Sequence, residues 1–168
     1  MTSQKHVGDF QNDPLLPGST ATQKADAFCN ADPAKPTSSI YKALMVDGIN
    51  RDAVKGIDWV LQPNTTYYRA DGITVIGTTT VTAIFPALYA DLSNGVIAQQ
   101  VSDMDGTTWV WTGIGSGADF SAGSDCAGWS SASGVGDFGL ADSTTQTAFI
   151  DMLTNCDARL SLYCVEQP

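Results

Sequence analysis

Four cysteines, Cys29, Cys126, Cys156 and Cys164, constrain this 168-residue chain more than any other feature. Three of them fall in the last forty-three residues, and the fourth lies far upstream in a segment with helical spacing. No C-x-x-C pair is present, which argues against a structural zinc site and for disulfides formed in an oxidising compartment. Four cysteines allow three connectivities. A nested pairing, Cys29 with Cys164 and Cys126 with Cys156, would tie a first helix to a last strand and close a separate loop of about thirty residues. Such a framework suits a binding module better than an enzyme. At this length the chain is expected to form one domain, residues 1–168, with a core of its own.

The elements alternate in kind along the chain. Thr20-x-x-Gln23 reads as a capping box, and Ala21, Ala25, Phe28 and Cys29 then recur at helical spacing until Pro33. Tyr41 to Val46 reads as a strand ended by Asp47-Gly48. Arg51 to Leu61 has a helical pattern in Val54, Ile57, Trp59 and Val60. Asp71-Gly72 sits between two β-prone runs and predicts a hairpin, because Asp-Gly tolerates the positive φ of a tight turn. Trp109 to Gly113 alternates as a strand that buries its tryptophan face, and Trp129 beside Cys126 is expected to pack over a bridge. Residues 113–139 are rich in Gly, Ser, Ala and Asp and read as loop. Ser143-x-x-Gln146 offers a second capping box ahead of Phe149, Ile150 and Leu153, and Leu160 to Val165 reads as the closing strand. The expected class is α+β: an N-terminal helix on a small mixed or antiparallel sheet, with a long loop region in the second half.

Charge divides the chain unevenly. Residues 1–69 hold seven cations and seven aspartates, whereas residues 70–168 hold eleven acids and one cation, Arg159. The net charge of −10 therefore resides in the second half. It disfavours nucleic acid, heparin-like polyanions and anionic membrane, and favours a cation or a basic protein partner. A surface kept acidic for solubility is the simpler reading. No apolar run approaches the ~20 residues of a membrane-spanning helix. The opening Met1-Thr-Ser-Gln-Lys5 has neither a basic n-region nor an apolar stretch, so a signal segment or lipid-attachment cysteine is expected to have been removed.

Placed in order, several short runs resemble the endostatin-like branch of the C-type lectin-like superfamily, and are similar to the endostatin-like surface adhesins of Leptospira. The runs are His6-Val-Gly-Asp-Phe-Gln11, Ala25-Asp-Ala-Phe-Cys29, Tyr41-Lys-Ala-Leu-Met45, Asp58 to Gly72, Ile84-Phe-Pro86, Asp105-Gly106, Cys126-Ala-Gly-Trp129 and Leu160 to Gln167. The resemblance implies the nested disulfides Cys29–Cys164 and Cys126–Cys156. It also implies a secreted or outer-membrane-anchored product that binds host matrix proteins such as laminin and fibronectin, and complement regulators. It transfers no contact residues. The arginine-rich heparin surface and histidine zinc ligands of animal endostatins have no counterpart here, since the arginines are only Arg51, Arg69 and Arg159 and the sole histidine is His6. The expected location is extracellular or on the outer-membrane surface, and any membrane association would run through the removed lipid anchor.

Chemistry-bearing residues are sparse. Asp103-Met-Asp105-Gly106 resembles the start of a calcium loop, with alternate carboxylates converging before a glycine, but it lacks the distal glutamate of an EF-hand. An Asp-Gly turn is the simpler account. Asp119 and Asp125 are weaker candidates for the same cation, and calcium is the only cofactor the sequence suggests. Gln62-Pro63-Asn64 superficially matches the tripeptide of sugar-binding lectins but sits outside the late loop region, so a calcium-dependent carbohydrate-binding lectin is the rival reading. His6 lies alone near the N-terminus and no Gly-x-Ser-x-Gly elbow accompanies it, so catalysis is not expected.

Overall fold

The computed structural model describes residues 1–86, 92–99, 108–115 and 119–168. Helix α1 spans Ala21–Ala31 and starts at its sequence-encoded cap, the Thr20 hydroxyl accepting the Gln23 N–H at 3.3 Å. The Gln23 carboxamide reaches back to the N–H and hydroxyl of Ser19, both at 2.9 Å, one residue earlier than a standard capping box. Its buried stripe of Ala21, Ala25 and Cys29 is small, which lets the helix lie close against β1 (Tyr41–Ala43). Strand β1 pairs antiparallel with the last strand, β8 (Cys164–Glu166), placing Ala43 opposite Cys164. The Cys29–Cys164 disulfide closes α1 onto this ribbon across a sequence separation of 135 residues.

Strands β2 (Thr66–Tyr68) and β3 (Val75–Thr78) form the hairpin that Asp71-Gly72 predicts. The Asp71 carboxylate accepts the Thr74 hydroxyl at 2.6 Å and the N–H groups of Thr74 and Ile73 at 2.8 Å, and these bonds hold its pKa down to about 2. Gly72 supplies the positive φ, +69°, at the turn. The remaining strands, β4 (Trp109–Trp111), β5 (Val135–Leu140), β6 (Met152–Asn155) and β7 (Ser161–Leu162), make a mixed sheet in the order β6-β5-β4-β7. Strand β4 runs antiparallel to β5 and parallel to β7.

Alternation along β4 sends side chains into two cores, one on each face of this sheet. Trp111 is fully buried with Phe10, Trp129, Phe138 and Leu162, whereas Val110 packs with Val46, Ile114, Phe149 and Tyr163. Both buried indoles satisfy their polar edge, Trp111 Nε1 donating to the His6 carbonyl and Trp129 Nε1 to the Val46 carbonyl, each at 2.9 Å. Trp129 meets Trp111 edge-on with ring centroids 5.7 Å apart, and Cys126 joins the same cluster. Trp109, on the same face but half-buried, stacks on Phe138.

Cys126 pairs with Cys156 across 30 residues, so the two disulfides are nested. The turn that carries Cys126 is unusual. All four residues of Cys126–Trp129 have φ between +54° and +69°, making one left-handed helical turn. Its bonds run from Trp129 N–H to the Asp125 carbonyl at 2.6 Å and from Ser130 N–H to the Cys126 carbonyl at 3.1 Å. Such a turn costs about 1–2 kcal/mol per non-glycine residue, and buried Trp129 with the Cys126–Cys156 bridge hold it in place.

Several sequence expectations are corrected. Residues 51–61 contain no helix. The Asp47 carboxylate instead takes the N–H groups of Ile49, Asn50 and Arg51, and Asp52 exchanges both backbone bonds with Ile57 at 3.0 Å. Local aspartate-to-backbone bonds outcompete the helical ladder there. The segment after Ser143 does form a short helical turn, a 3-10 turn over Gln146–Ala148, but its cap is Thr145 and Leu153 belongs to β6. Residues 113–139 include the left-handed turn and the start of β5. The closing strand is two pieces: β7 joins the mixed sheet, Tyr163 intervenes, and β8 joins β1. Tyr163, at that change of partner, faces a cleft.

Candidate functional site

A cleft of about 800 Å³ opens between the β1/β8 ribbon and the β2–β3 hairpin. Its floor is the buried surface of one core, including Leu44, Leu61, Ile76, Phe85, Phe149 and Tyr163. Volume and apolar lining fall within the range of ligand-binding clefts. Tyr163 is fixed by donating its hydroxyl to the Ala148 carbonyl at 2.7 Å, and burial pushes its pKa well above the usual tyrosine value. It is a neutral floor residue at physiological pH.

One wall is built from the hairpin. Tyr67 packs edge-on against Phe85, and its phenolic oxygen accepts the Gln62 N–H at 2.7 Å. Burial raises the Tyr67 pKa, so this hydroxyl keeps its proton and can donate it to a bound acceptor. Arg69 donates from Nε to the Gly95 carbonyl at 2.8 Å and from Nη2 to the Ile97 carbonyl at 2.7 Å, strapping residues 92–99 against the hairpin. Tyr68 is half exposed at the rim. The opposite wall is the segment after α1. Thr37 donates to Glu166 Oε1 at 2.9 Å, and Lys35 donates to the Ser39 carbonyl at 3.0 Å. Asp32 accepts from Ser3 N–H and hydroxyl at 2.8 and 2.9 Å, fastening the N-terminal segment beside the Cys29–Cys164 bridge that also lines the cleft. The result is an apolar floor with a rim of hydroxyls and tethered charges, suited to holding an apolar or amphipathic group.

Beneath the other side of the ribbon lies a buried ion cluster that sequence reading missed. Arg51 is fully buried. It donates two bonds of 2.8 Å to the Asp26 carboxylate, bonds of 2.5 and 3.2 Å to Asp58 Oδ2, one of 3.1 Å to the Asp58 carbonyl and one of 2.7 Å to the Ala43 carbonyl. Lys42 completes the cluster on Asp58 Oδ1. One side chain thus joins α1, β1 and the 47–58 loop. No local spacing announces it, because its partners come from both sides of Arg51 in the chain.

Asp119 and Asp125, two of the four sequence-derived metal candidates, each serve a local backbone turn. Asp103 and Asp105 lie outside the described residues. Asp119 accepts the Ser121 N–H at 3.2 Å, and Asp125 caps the left-handed turn by accepting the Gly128 N–H at 2.9 Å. Among the described residues, no three acidic, histidine or cysteine side chains gather in a way that could hold a metal ion. His6 is buried away from the cleft, stacked on Phe10 at 4.2 Å, with its nitrogens on the Val7 carbonyl and Asp13 at 2.6 and 2.9 Å.

Fold and cleft together define a disulfide-stapled α+β protein with an open, mainly apolar cleft. The chain belongs to a family of proteins of unknown function (DUF1554), whose model matches residues 17–147. The match includes Cys29 and Cys126 but stops short of their partners Cys164 and Cys156, so each disulfide ties the matched region to the final strands. No curated protein and no solved structure gives a significant match.

Proposed function

We propose that this protein is a secreted or surface-exposed bacterial binding module with a C-type lectin-like, endostatin-like architecture, and that its cleft engages host extracellular-matrix or complement-regulator proteins. The observation that carries the reading is the cleft itself: an apolar floor with a polar rim, framed by a disulfide that joins the first helix to the last strand. Two disulfides fit an oxidising, extracytoplasmic location, with lipid anchoring at the outer membrane as one route to the surface. The acidic second half favours partners with basic surfaces, and attraction of this kind weakens with salt.

The test is a binding panel of laminin, fibronectin, complement regulators and glycans, run in calcium and in chelator and repeated at high salt. The expected result is protein binding that survives chelator, falls with salt, and drops about tenfold in Tyr68→Ala, a rim substitution that leaves the floor intact. A panel without protein ligands would end the proposal. Glycan binding lost in chelator would replace it with the calcium-dependent lectin reading.

A further inference from the structure

We infer that β6 is a strand-addition site for an extended, lysine- or arginine-bearing segment of a partner protein, separate from the cleft. Among the described residues, strand β6 is the free edge of the mixed sheet and pairs only with β5. Its register is fixed by the bond from Cys156 N–H to the Gly134 carbonyl at 3.1 Å, in line with the pairs Thr154–Gly136 and Met152–Phe138. Alternation of an antiparallel ladder then turns the backbone of Met152 and Thr154 toward β5 and that of Leu153 and Asn155 outward. The Asn155 carbonyl is taken by Ala158 N–H at 3.0 Å, which leaves the Leu153 N–H and carbonyl and the Asn155 N–H facing out.

The side chains of this edge are equally open. Met152 is 65% and Leu153 52% exposed, and Val135, on the same face as Leu153, is 43% exposed. Edges of soluble sheets are ordinarily guarded by lysine, proline or a covering segment. The sequence Met152-Leu-Thr-Asn155 contains no such guard.

Charge selects the occupant. Asp151 and Asp157 flank β6 in sequence and Asp137 stands opposite Leu153 in the ladder, while residues 70–168 carry one cation, Arg159. A second copy of this chain would bring the same acids and the same excess of negative charge to the edge, and would be repelled. An extended segment with cations at alternate positions places them beside these carboxylates and its other side chains on Met152 or Leu153. Backbone bonding at a sheet edge with pockets for alternate side chains is an established mode of peptide recognition.

The probe is a short acetylated peptide alternating lysine with valine, compared with the same peptide N-methylated on alternate residues to remove its bonding edge. Amide hydrogen exchange of the intact, disulfide-bonded protein is followed by NMR. The expected result is slowed exchange at Leu153 and Asn155 with the first peptide and none with the second, and binding weakened about tenfold by Leu153→Lys or by Asp151→Lys. Leu153 is exposed and Asp151 half-buried, and an unchanged exchange pattern in α1 and β4 verifies that the variants are folded. Equal effects of the two peptides, protection confined to the cleft, or concentration-dependent self-association abolished by Leu153→Lys would each overturn the assignment. Tyr68→Ala leaves peptide binding unchanged if the two sites are separate, so failure here and failure of the cleft reading are distinguishable.

Discussion

Replacing Arg51 with methionine tests whether the buried ion cluster is a structural keystone. Methionine approximates the length of the arginine stem, so the volume change is small and the loss is electrostatic. The substitution strips Asp26 of two bonds at 2.8 Å, the Asp58 carboxylate of two at 2.5 and 3.2 Å, the Asp58 carbonyl of one at 3.1 Å and the Ala43 carbonyl of one at 2.7 Å. Removing one partner of a buried pair ordinarily costs about 3–5 kcal/mol, because an uncompensated charge is left behind. Here the Asp58 side chain is 35% exposed and keeps Lys42, which moves the expectation to the lower end, about 3 kcal/mol. The assay is urea denaturation with disulfides intact, read as a midpoint shift at constant slope. The effect should also depend on pH. Burial alone would raise the Asp58 pKa, but its hydrogen bonds to Lys42 and Arg51 outweigh burial and lower it. A lowered folded-state pKa contributes stability that is present above the unfolded value of about 3.9 and is lost as pH falls through the folded value. The gap between wild type and Arg51→Met is therefore full at neutral pH and narrows below about pH 4. A loss under about 1 kcal/mol, or a gap unchanged on acidification, would refute the keystone argument.

Other expectations follow from the backbone and the bridges. Gly113→Ala would place a Cβ 2.6 Å from the Val46 carbonyl and 2.7 Å from Trp129 at a φ of +65°, so it should destabilise by about 2–4 kcal/mol in the same assay. Ala127→Gly relieves a left-handed, exposed residue whose φ is +58°, and a gain of about 0.5–1 kcal/mol is expected; a loss would show that the turn is not strained. Replacing both cysteines of a bridge by serine should cost about 3.5 kcal/mol for Cys126–Cys156 and about 5 for Cys29–Cys164 in the chain-entropy model, and the reverse order would contradict it.

What could be read from sequence was local. The Thr20 cap, the Asp71-Gly72 hairpin and the buried tryptophan face of β4 each depend on residues within a few positions of one another, and each is found. Arg51 to Leu61 failed because spacing of apolar residues cannot weigh Asp47 and Asp52, whose carboxylates bind backbone N–H groups before a helix can. Arg51 illustrates the deeper limit. Its value lies in Asp26, Ala43 and Asp58 arriving at one point, which is a property of the fold and not of any window of sequence. The cleft was equally hidden, since its walls come from residues near both termini and from the hairpin between them.

The placement of that cleft has a thermodynamic consequence for binding. Association loses affinity whenever loops must be ordered on contact, so a site made of already fixed segments starts with an advantage. Both walls are fixed here by independent means: the hairpin wall by Arg69 on the Gly95 and Ile97 carbonyls, the ribbon wall by the Cys29–Cys164 bridge and by Arg51 beneath β1. Among the described residues none of the hydrogen-bond partners of Arg51 lines the cleft, so its influence there runs through β1 and α1. Loosening it should therefore weaken ligand binding at the cleft while sparing the β6 edge, which is carried by the other sheet. A partner held equally well by wild type and Arg51→Met, under conditions where both remain folded, would mean that the ribbon wall contributes no preorganisation.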